Sequence, residues 1–203
     1  MSVQVRIQSR IRGKGRGAVF TPKDFVDLGS RASVDQALSR LARKGTIRRL
    51  DRGVYDFPRR RPGGRVLYPR LKDLVKGIGV PGSALQPVGA KAANDLGLTT
   101  QVPANVVFLT DGPDRDVQVG NLTVQLKHSS PRQLVGSGGP AGVVIQALRY
   151  LGRSGVDDSV VSHLRSNLDQ GTKDDLKKQA DANRHLIADW ILGVVDQIAN
   201  VPH

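Results

Sequence analysis

The amino-acid sequence predicts an α+β fold made of a basic N-terminal module and a near-neutral C-terminal module. Three observations predict it: an uneven distribution of charge, an N-terminal series of helix signals that ends in a strand-like hairpin, and three strand-like runs followed by helical patterns. The length of 203 residues suffices for one large domain or two small ones. We place the two predicted domains at residues 1–65 and 66–203.

Positive charge is concentrated in the first third of the chain. Residues 1–72 contain 19 Lys and Arg and 5 Asp, whereas residues 73–203 contain 12 Lys and Arg and 13 Asp. The net charge of the whole chain is +13. This asymmetry predicts a polyanion-binding module, with nucleic acid as the leading partner, followed by a module with a different task.

The composition excludes several kinds of site. The chain has no cysteine, which excludes disulfides, zinc–thiolate sites and cysteine nucleophiles and fits a cytoplasmic location. It also has no glutamate, so glutamate-based catalysis and calcium loops are excluded. No apolar run reaches the roughly 18 residues of a membrane span, so we expect no membrane partner. The four histidines are scattered, the aspartates fit turns and caps, and we expect no catalytic residue, metal or cofactor.

The first 44 residues contain three helix signals. Val3, Ile7 and Ile11 recur at helical spacing in the first of them. A short second helix begins with Thr21 and Pro22 and stops at Gly29, because a threonine followed by proline is typical of a helix start. Ser30 then caps a third helix that runs through Lys44.

The third helix has one apolar stripe and one polar face. The stripe consists of Val34, Ala37, Leu38 and Leu41, at positions i, i+3, i+4 and i+7. At about 100° per residue, the outward face then carries polar and basic side chains without an acidic residue. The outward residues are Ser33, Gln36, Ser39, Arg40 and Arg43.

Residues 46–57 read as a β-hairpin rich in arginine. Two short strands, Thr46–Leu50 and Val54–Phe57, flank a three-residue loop that ends in Gly53. Three helices followed by a basic hairpin is the order of a winged helix-turn-helix, in which the recognition helix enters the major groove of DNA. We therefore predict a recognition helix at 31–44 and a wing at 46–57.

The residue types on these two elements suit DNA. Arginine and glutamine make paired hydrogen bonds to guanine and adenine, so Gln36, Arg40 and Ser33 are the predicted base-reading residues. Other basic side chains would neutralise phosphates, and Arg31 and Ser39 complete the predicted DNA-binding set. The predicted phosphate contacts are Arg43, Lys44, Arg48, Arg49 and Arg52.

The segment 58–65 is predicted to be irregular. It contains Arg59, Arg60 and Arg61 between two prolines and is followed by two glycines. It is either a plain tether or an arm that enters the minor groove, where clustered arginine favours narrow stretches. These three arginines are therefore second-rank DNA-binding candidates.

The second module is predicted to contain a small sheet and then helices. Strand-like runs at 105–110, 116–119 and 122–127 are separated by short turns, which predicts an antiparallel meander at about 104–128. Helical patterns follow over about 140–200, with the last predicted as one long helix that Thr172 caps. Its apolar residues either pack on their own domain or form a partner surface.

Two parts of the sequence resemble the AbiEi-type antitoxin family of bacterial type IV toxin–antitoxin (abortive infection) systems. The run Gly89–Pro103, which contains Ala93-Asn94-Asp95-Leu96-Gly97-Leu98-Thr99-Thr100, is similar to that family and is followed by the similar run Val107–Gly112. Arg40–Gly45 leading into Arg52–Tyr55 resembles the family's winged-helix segment. The resemblance covers most of the first 130 residues, and the C-terminal helices match in pattern only.

The resemblance implies a DNA-binding antitoxin and transcriptional autorepressor. The winged helix would bind inverted repeats in the operator of its own operon, and the remainder would counteract a cognate nucleotidyltransferase toxin, directly or indirectly. No toxin-contacting residue can be transferred. The sequence leaves two other functions open: a winged-helix regulator whose second domain senses a ligand or dimerises, and a neutraliser that acts on RNA or as an enzyme.

Overall fold

The chain forms two compact units in the computed structural model, which describes residues 2–101 and 103–199. Unit 1 consists of the residues up to Pro81 together with Val117–Asn121, and unit 2 consists of Gly82–Asp116 and the residues from Leu122 onward. Helices and strands are mixed along the chain, with small β-sheets and C-terminal helices. The α+β class is therefore confirmed.

Unit 1 contains three α-helices, one 3₁₀ helix and five short strands among its described residues. The helices are α1 (Val3–Lys14), the 3₁₀ helix Pro22–Leu28, α2 (Arg31–Arg43) and α3 (Leu71–Ile78). The strands are β1 (Val19–Phe20), β2 (Arg48–Asp51), β3 (Val54–Asp56), β4 (Arg59–Arg60) and β5 (Val66–Leu67).

Local signals in the sequence explain why α2 begins and ends where it does. The Ser30 hydroxyl accepts a hydrogen bond from the backbone N–H of Ser33, and Gly45 follows the helix with a φ of +67° that favours glycine. The four residues of the predicted apolar stripe are all buried, as the 3.6-residue period requires. The predicted second helix also forms, but as the 3₁₀ helix, with Thr21 and Asp24 in a capping box.

A three-stranded antiparallel sheet packs against these helices. Its order is β1-β3-β2, and the β2–β3 hairpin turns at Gly53, where φ is +68°. Phe20 pairs in register with Tyr55, and its ring contacts that of Phe25 edge-on at 5.5 Å between centroids. These rings join Ile7, Ile11 and the α2 stripe in one core.

A buried ion pair joins the two strands of the hairpin at its base. Asp56 is 1% exposed and accepts hydrogen bonds from Nε and Nη2 of Arg48 at 3.1 and 2.6 Å. The same guanidinium donates to the carbonyl of Leu67 and lies 4.9 Å from the centre of the Tyr68 ring. A carboxylate in such a site needs its partner, because an unpaired buried charge is costly.

Two features differ from the prediction for residues 58–81. The segment expected to be irregular forms the antiparallel ladder β4–β5, with Arg59 opposite Leu67. Unit 1 also extends beyond the predicted boundary at residue 65, because α3 packs against β1. A Cβ at Gly77 would lie 2.6 Å from the Val19 carbonyl oxygen, so only glycine allows this close approach.

Unit 2 contains five α-helices and most of a four-stranded sheet among its described residues. The strands of this sheet are β6 (Gln86–Pro87), β7 (Asn105–Thr110), β8 (Arg115–Val119) and β9 (Leu122–His128). The helices are α4 (Ala90–Asp95), α5 (Pro140–Leu151), α6 (Asp158–Asn167), α7 (Gln170–Ala182) and α8 (Asp189–Ala199), with 3₁₀ helices at Arg153–Gly155 and Arg184–Leu186.

The sheet is not the predicted antiparallel meander. Its order is β6-β7-β9-β8, and β7 pairs with β9 in parallel from Asn105 opposite Thr123 to Thr110 opposite His128. Strands β7 and β9 are the two inner strands, and the alternating residues Val124 and Leu126 of β9 are fully buried. The turn after β7 passes the end of β9, where the Asp114 carboxylate accepts a hydrogen bond from the His128 backbone. Turn residues alone do not specify which neighbour a strand takes.

The single long helix predicted from Thr172 is also wrong, because the chain folds back into α7 and α8. The cap of α7 is Asp169, which accepts hydrogen bonds from the backbone and hydroxyl of Thr172 at 2.8 and 2.9 Å. A straight helix over both segments would be roughly 40 Å long and would leave one apolar face uncovered. With the break at Asn183, Leu176 and Val195 both reach one core, which is built around α5.

Replacing Asp56 by asparagine should destabilise unit 1. The change keeps the shape of the side chain but leaves the Arg48 guanidinium without its counter-ion, and we expect a loss of about 3 kcal/mol in the free energy of unfolding. Urea denaturation followed by circular dichroism measures it. The control is Asp27→Asn, which removes an exposed partner of Arg10 and should have little effect. Equal effects of the two substitutions would refute a special role for the Arg48–Asp56 pair.

Candidate nucleic-acid interface

The outward face of α2 is exposed and basic. Gln36, Ser39, Arg40 and Arg43 are exposed, and spacings of three and four residues bring them to one side of the helix, opposite the buried stripe. Within residues 2–101 and 103–199, none of these side chains makes a hydrogen bond or an ion pair. Their donors are therefore available to a ligand.

The first turn of α2 is less available. The Arg31 Nε atom donates to the Asp35 carboxylate at 2.8 Å, which is a pair of neighbours on the helix surface. The Ser33 hydroxyl is half-buried and donates to the Ser30 carbonyl at 2.8 Å. The polar groups of these two predicted DNA-binding residues thus already have partners at the start of the helix.

The end of α2 and the tip of the hairpin add three exposed cations. Lys44 follows the helix, and Arg49 and Arg52 lie on β2 and on the turn after it. Arg49 Nε makes one weak contact with the Asp51 carbonyl at 3.4 Å. The Asp51 carboxylate accepts a hydrogen bond from the backbone N–H of Arg52. It does not pair with the Arg52 guanidinium.

The remaining predicted contacts differ in their surroundings. Arg48 is held in the buried pair with Asp56. Arg59 lies beside Gly17 and forms an ion pair with Asp73 at 3.5 Å. Both arginines therefore serve the structure of unit 1, whereas Arg60 and Arg61 are exposed on the β4–β5 hairpin.

Sequence reasoning did not assign Arg12 and Arg16 to the interface. Both line a groove of about 280 Å³ together with Arg60 and Thr46, next to the end of α2. Arg16 is fixed there, because it donates to the Pro58 carbonyl and lies 4.8 Å from the centre of the Phe57 ring. In the sequence, the basic run between glycines at 13–17 predicts a solvated turn that contacts backbone phosphates, without a place for Arg12 or Arg16 in the recognition helix or the wing.

All six aspartates among residues 2–81 are engaged within the described part of unit 1. Five of them form ion pairs, and the sixth, Asp51, accepts a backbone hydrogen bond. The hydrogen bond from Arg10 lowers the pKa of Asp27 and raises that of Arg10, so this pair stays charged at neutral pH. The aspartates of unit 1 are thus engaged by neighbouring groups, and the exposed Arg40 and Arg43 of α2 and Arg49 and Arg52 of the hairpin have no acidic partner among the described residues.

Unit 2 contains no clear catalytic constellation in the part that the structure describes. His163 contacts the Leu96 carbonyl through Nε2, and His128 contacts the Gly112 carbonyl through Nδ1. Across residues 2–101 and 103–199, no three histidines and aspartates lie close enough together to hold a metal ion. His203 lies outside the described residues.

No helix in the described residues is long and apolar enough to cross a membrane.

A known protein family matches most of the chain. No curated protein matches the sequence significantly. The model of a family of unknown function, DUF6088, matches residues 6–176, which include both the basic face of α2 and most of unit 2. Because this match spans far more than half of the 203 residues, the chain belongs to the DUF6088 family.

Proposed function

We propose that the chain is a transcriptional repressor that binds double-stranded DNA through a winged helix-turn-helix in unit 1. The order of elements supports this proposal. Helix α1, strand β1, the 3₁₀ helix, α2 and the β2–β3 hairpin follow one another, and β1 pairs with β3. In this arrangement α2 is the recognition helix and the hairpin is the wing.

The observation that carries the proposal is the unpaired basic face of α2. Arg40 and Arg43 project from a helix whose opposite side is fully buried, in a unit whose described aspartates are all engaged. A helix with this face fits the major groove of DNA, where base edges present acceptors to arginine and both donors and acceptors to glutamine. We assign base reading to Gln36 and Arg40.

Phosphate contacts are assigned to the other exposed cations. Arg43, Lys44, Arg49 and Arg52 lie at the end of α2 and on the hairpin, and each contact would release counter-ions and make binding weaker at high salt. Arg12, Arg16 and Arg60 are a further set beside them. Four predicted residues already have partners within the chain: Arg31, Ser33, Arg48 and Arg59. We therefore expect them to contribute less to DNA binding.

We further propose that the protein is an autorepressing antitoxin of a type IV system, acting in the bacterial cytoplasm. The support is the resemblance of Gly89–Pro103 and Val107–Gly112 to AbiEi-type antitoxins. The first run contains α4, whose buried Ala92 and Ala93 pack against Ala147 of α5, and the second contains most of β7. The DNA targets would be inverted repeats in the operator, and unit 2 would counteract a nucleotidyltransferase toxin.

A regulator without a toxin partner is the second candidate. The observation that favours it is a cavity of about 830 Å³ in unit 2, which has the size of a small-molecule site. In that case the second unit would sense a ligand.

Replacing Arg40 by alanine should weaken operator binding and relax sequence preference at one position. A bidentate contact to guanine discriminates by about 1–3 kcal/mol, so affinity for the operator should fall by that amount, with a smaller effect on random duplex. Fluorescence anisotropy with DNA from upstream of the gene measures both. Equal losses on the two duplexes would contradict base reading by Arg40.

Replacing Arg52 by alanine should weaken binding to all duplexes alike. Loss of one phosphate contact should also lower the slope of log K against log salt concentration by roughly one. Lys178→Ala is the matched control, because it removes an exposed cation from α7 in unit 2. The proposal for unit 1 fails if Arg52→Ala leaves the salt dependence unchanged, or if the control matches it.

Co-expression tests the antitoxin function. A gene beside its own should encode a nucleotidyltransferase, and we expect the chain to restore growth of cells that express that toxin. Arg40→Ala should retain this rescue when both genes are under foreign promoters, because repression and neutralisation are then uncoupled. Failure of the wild-type chain to rescue growth would refute the proposed antitoxin function. The proposed DNA binding is tested separately.

A further inference from the structure

A cavity of about 830 Å³ in unit 2 is lined by several elements of that unit. It lies between the C-terminal half of α5, the loop after β9 and the segment that joins α7 to α8. A volume of this size is typical of small-molecule sites, which commonly hold 300–1,000 Å³. The residues that give it chemical character are Arg132, Arg149, Arg153, Tyr150 and Trp190.

The charge of the cavity is opposite to that of its unit. Among residues 82–116 and 122–203 the chain has 12 Asp and 11 Lys and Arg. Three of those arginines line this cavity, and no aspartate does. The rest of unit 2 has more Asp than Lys and Arg, so three arginines on one cavity are a local excess of positive charge, and an anionic ligand would explain it.

Arg149 is held in place without a counter-ion. Its guanidinium donates to three backbone carbonyls, those of Gln133, Arg132 and Leu186, at 3.4, 3.1 and 3.3 Å. Burial and then the positive charge of Arg132 lower its pKa below the ordinary value for arginine. A bound anion would relieve both effects, because it would compensate a half-buried cation and the repulsion from its neighbour.

Arg132 and Arg153 are exposed, and their side chains make no hydrogen bond or ion pair with the described residues of the chain. Their guanidinium groups are therefore available to bind a ligand. Guanidinium groups suit phosphate in particular, because their planar donors form paired hydrogen bonds with its oxygens.

The other side of the cavity is aromatic and apolar. Trp190 and the half-exposed Tyr150 line it together with Leu109 and Ile191. Aromatic side chains favour planar rings, which they contact by offset stacking or edge-on. An inorganic anion alone would leave this surface uncovered.

We propose that this cavity binds a small phosphorylated molecule that carries a planar ring, of which a mononucleotide is the type. The arginines hold the phosphate, and Trp190 and Tyr150 contact the ring. The inference rests on unit 2 alone and is independent of DNA binding by unit 1.

Fluorescence of the full-length chain tests the proposal, because Trp190 is its single tryptophan. The probes are AMP, GMP and UMP, with free tryptophan as the reference for light absorbed by the nucleotide. At least one of them should change the emission saturably with a dissociation constant below about 1 mM. Adenosine carries a ring without the charge and inorganic phosphate the charge without a ring, and each should bind at least about tenfold more weakly.

Substitutions locate the site. Arg132→Gln and Arg153→Gln should each weaken binding by about tenfold and leave the melting temperature unchanged, because neither side chain has an internal partner. Arg149 is unsuitable, because its loss would remove hydrogen bonds to three backbone carbonyls and change the structure as well as the charge. Lys178→Gln makes the same charge change at an exposed position outside the cavity lining and should bind as the wild type does.

Three results would overturn the proposal: no saturable change with any of the three nucleotides, equal weakening by Lys178→Gln, or phosphate or adenosine binding as tightly as the nucleotides. Loss of operator binding is measured separately on duplex DNA. A chain that fails to bind DNA but binds a nucleotide with these properties would refute the first proposal and support this one.

Discussion

The positive potential of unit 1 depends on how its few acidic groups are used. Each described aspartate before residue 82 is engaged by a neighbouring cation or a backbone N–H, as in the pairs Arg48–Asp56 and Arg10–Asp27. These contacts stabilise the hairpin and the contact between α1 and the 3₁₀ helix. The same contacts engage the negative charges of unit 1, so Arg40 and Arg43 are left without an acidic partner.

The first three helices of unit 1 and the β2–β3 hairpin were predictable because their signals are local. The cap at Ser30, the glycine at 45 and the spacing of the apolar stripe fix α2 almost to the residue. The exposed side of that helix follows from the same period, which is why Gln36, Arg40 and Arg43 lie where the sequence places them. The roles of Arg48 and Arg59 were not predictable, because their partners Asp56 and Asp73 are brought to them only by strand pairing and by the docking of α3.

Unit 2 was predicted less well, since its organisation depends on contacts between distant segments. Strand lengths and short turns were correct in outline, but they do not specify that β9 lies between β7 and β8. Likewise, the break at Asn183 has no glycine or proline to mark it. It is explained by the shared core of α5, α7 and α8. The arginine-lined cavity depends on this break, because Leu186, Trp190 and Ile191 reach it from the segment that follows.

The parallel pairing of β7 with β9 has a consequence for how unit 2 acquires its structure. Strand β7 is made before β9, its parallel neighbour in the sheet, and β8 lies between the two in the chain. The β7–β9 ladder cannot grow outward from a tight turn between adjacent segments. The intervening loop must close before the first residues of this ladder can pair, and closing it costs conformational entropy. The β2–β3 hairpin and the helices around it can form without such a loop closure. During synthesis, the basic unit can therefore begin to fold before β9 has been made and the sheet of the second unit can be completed.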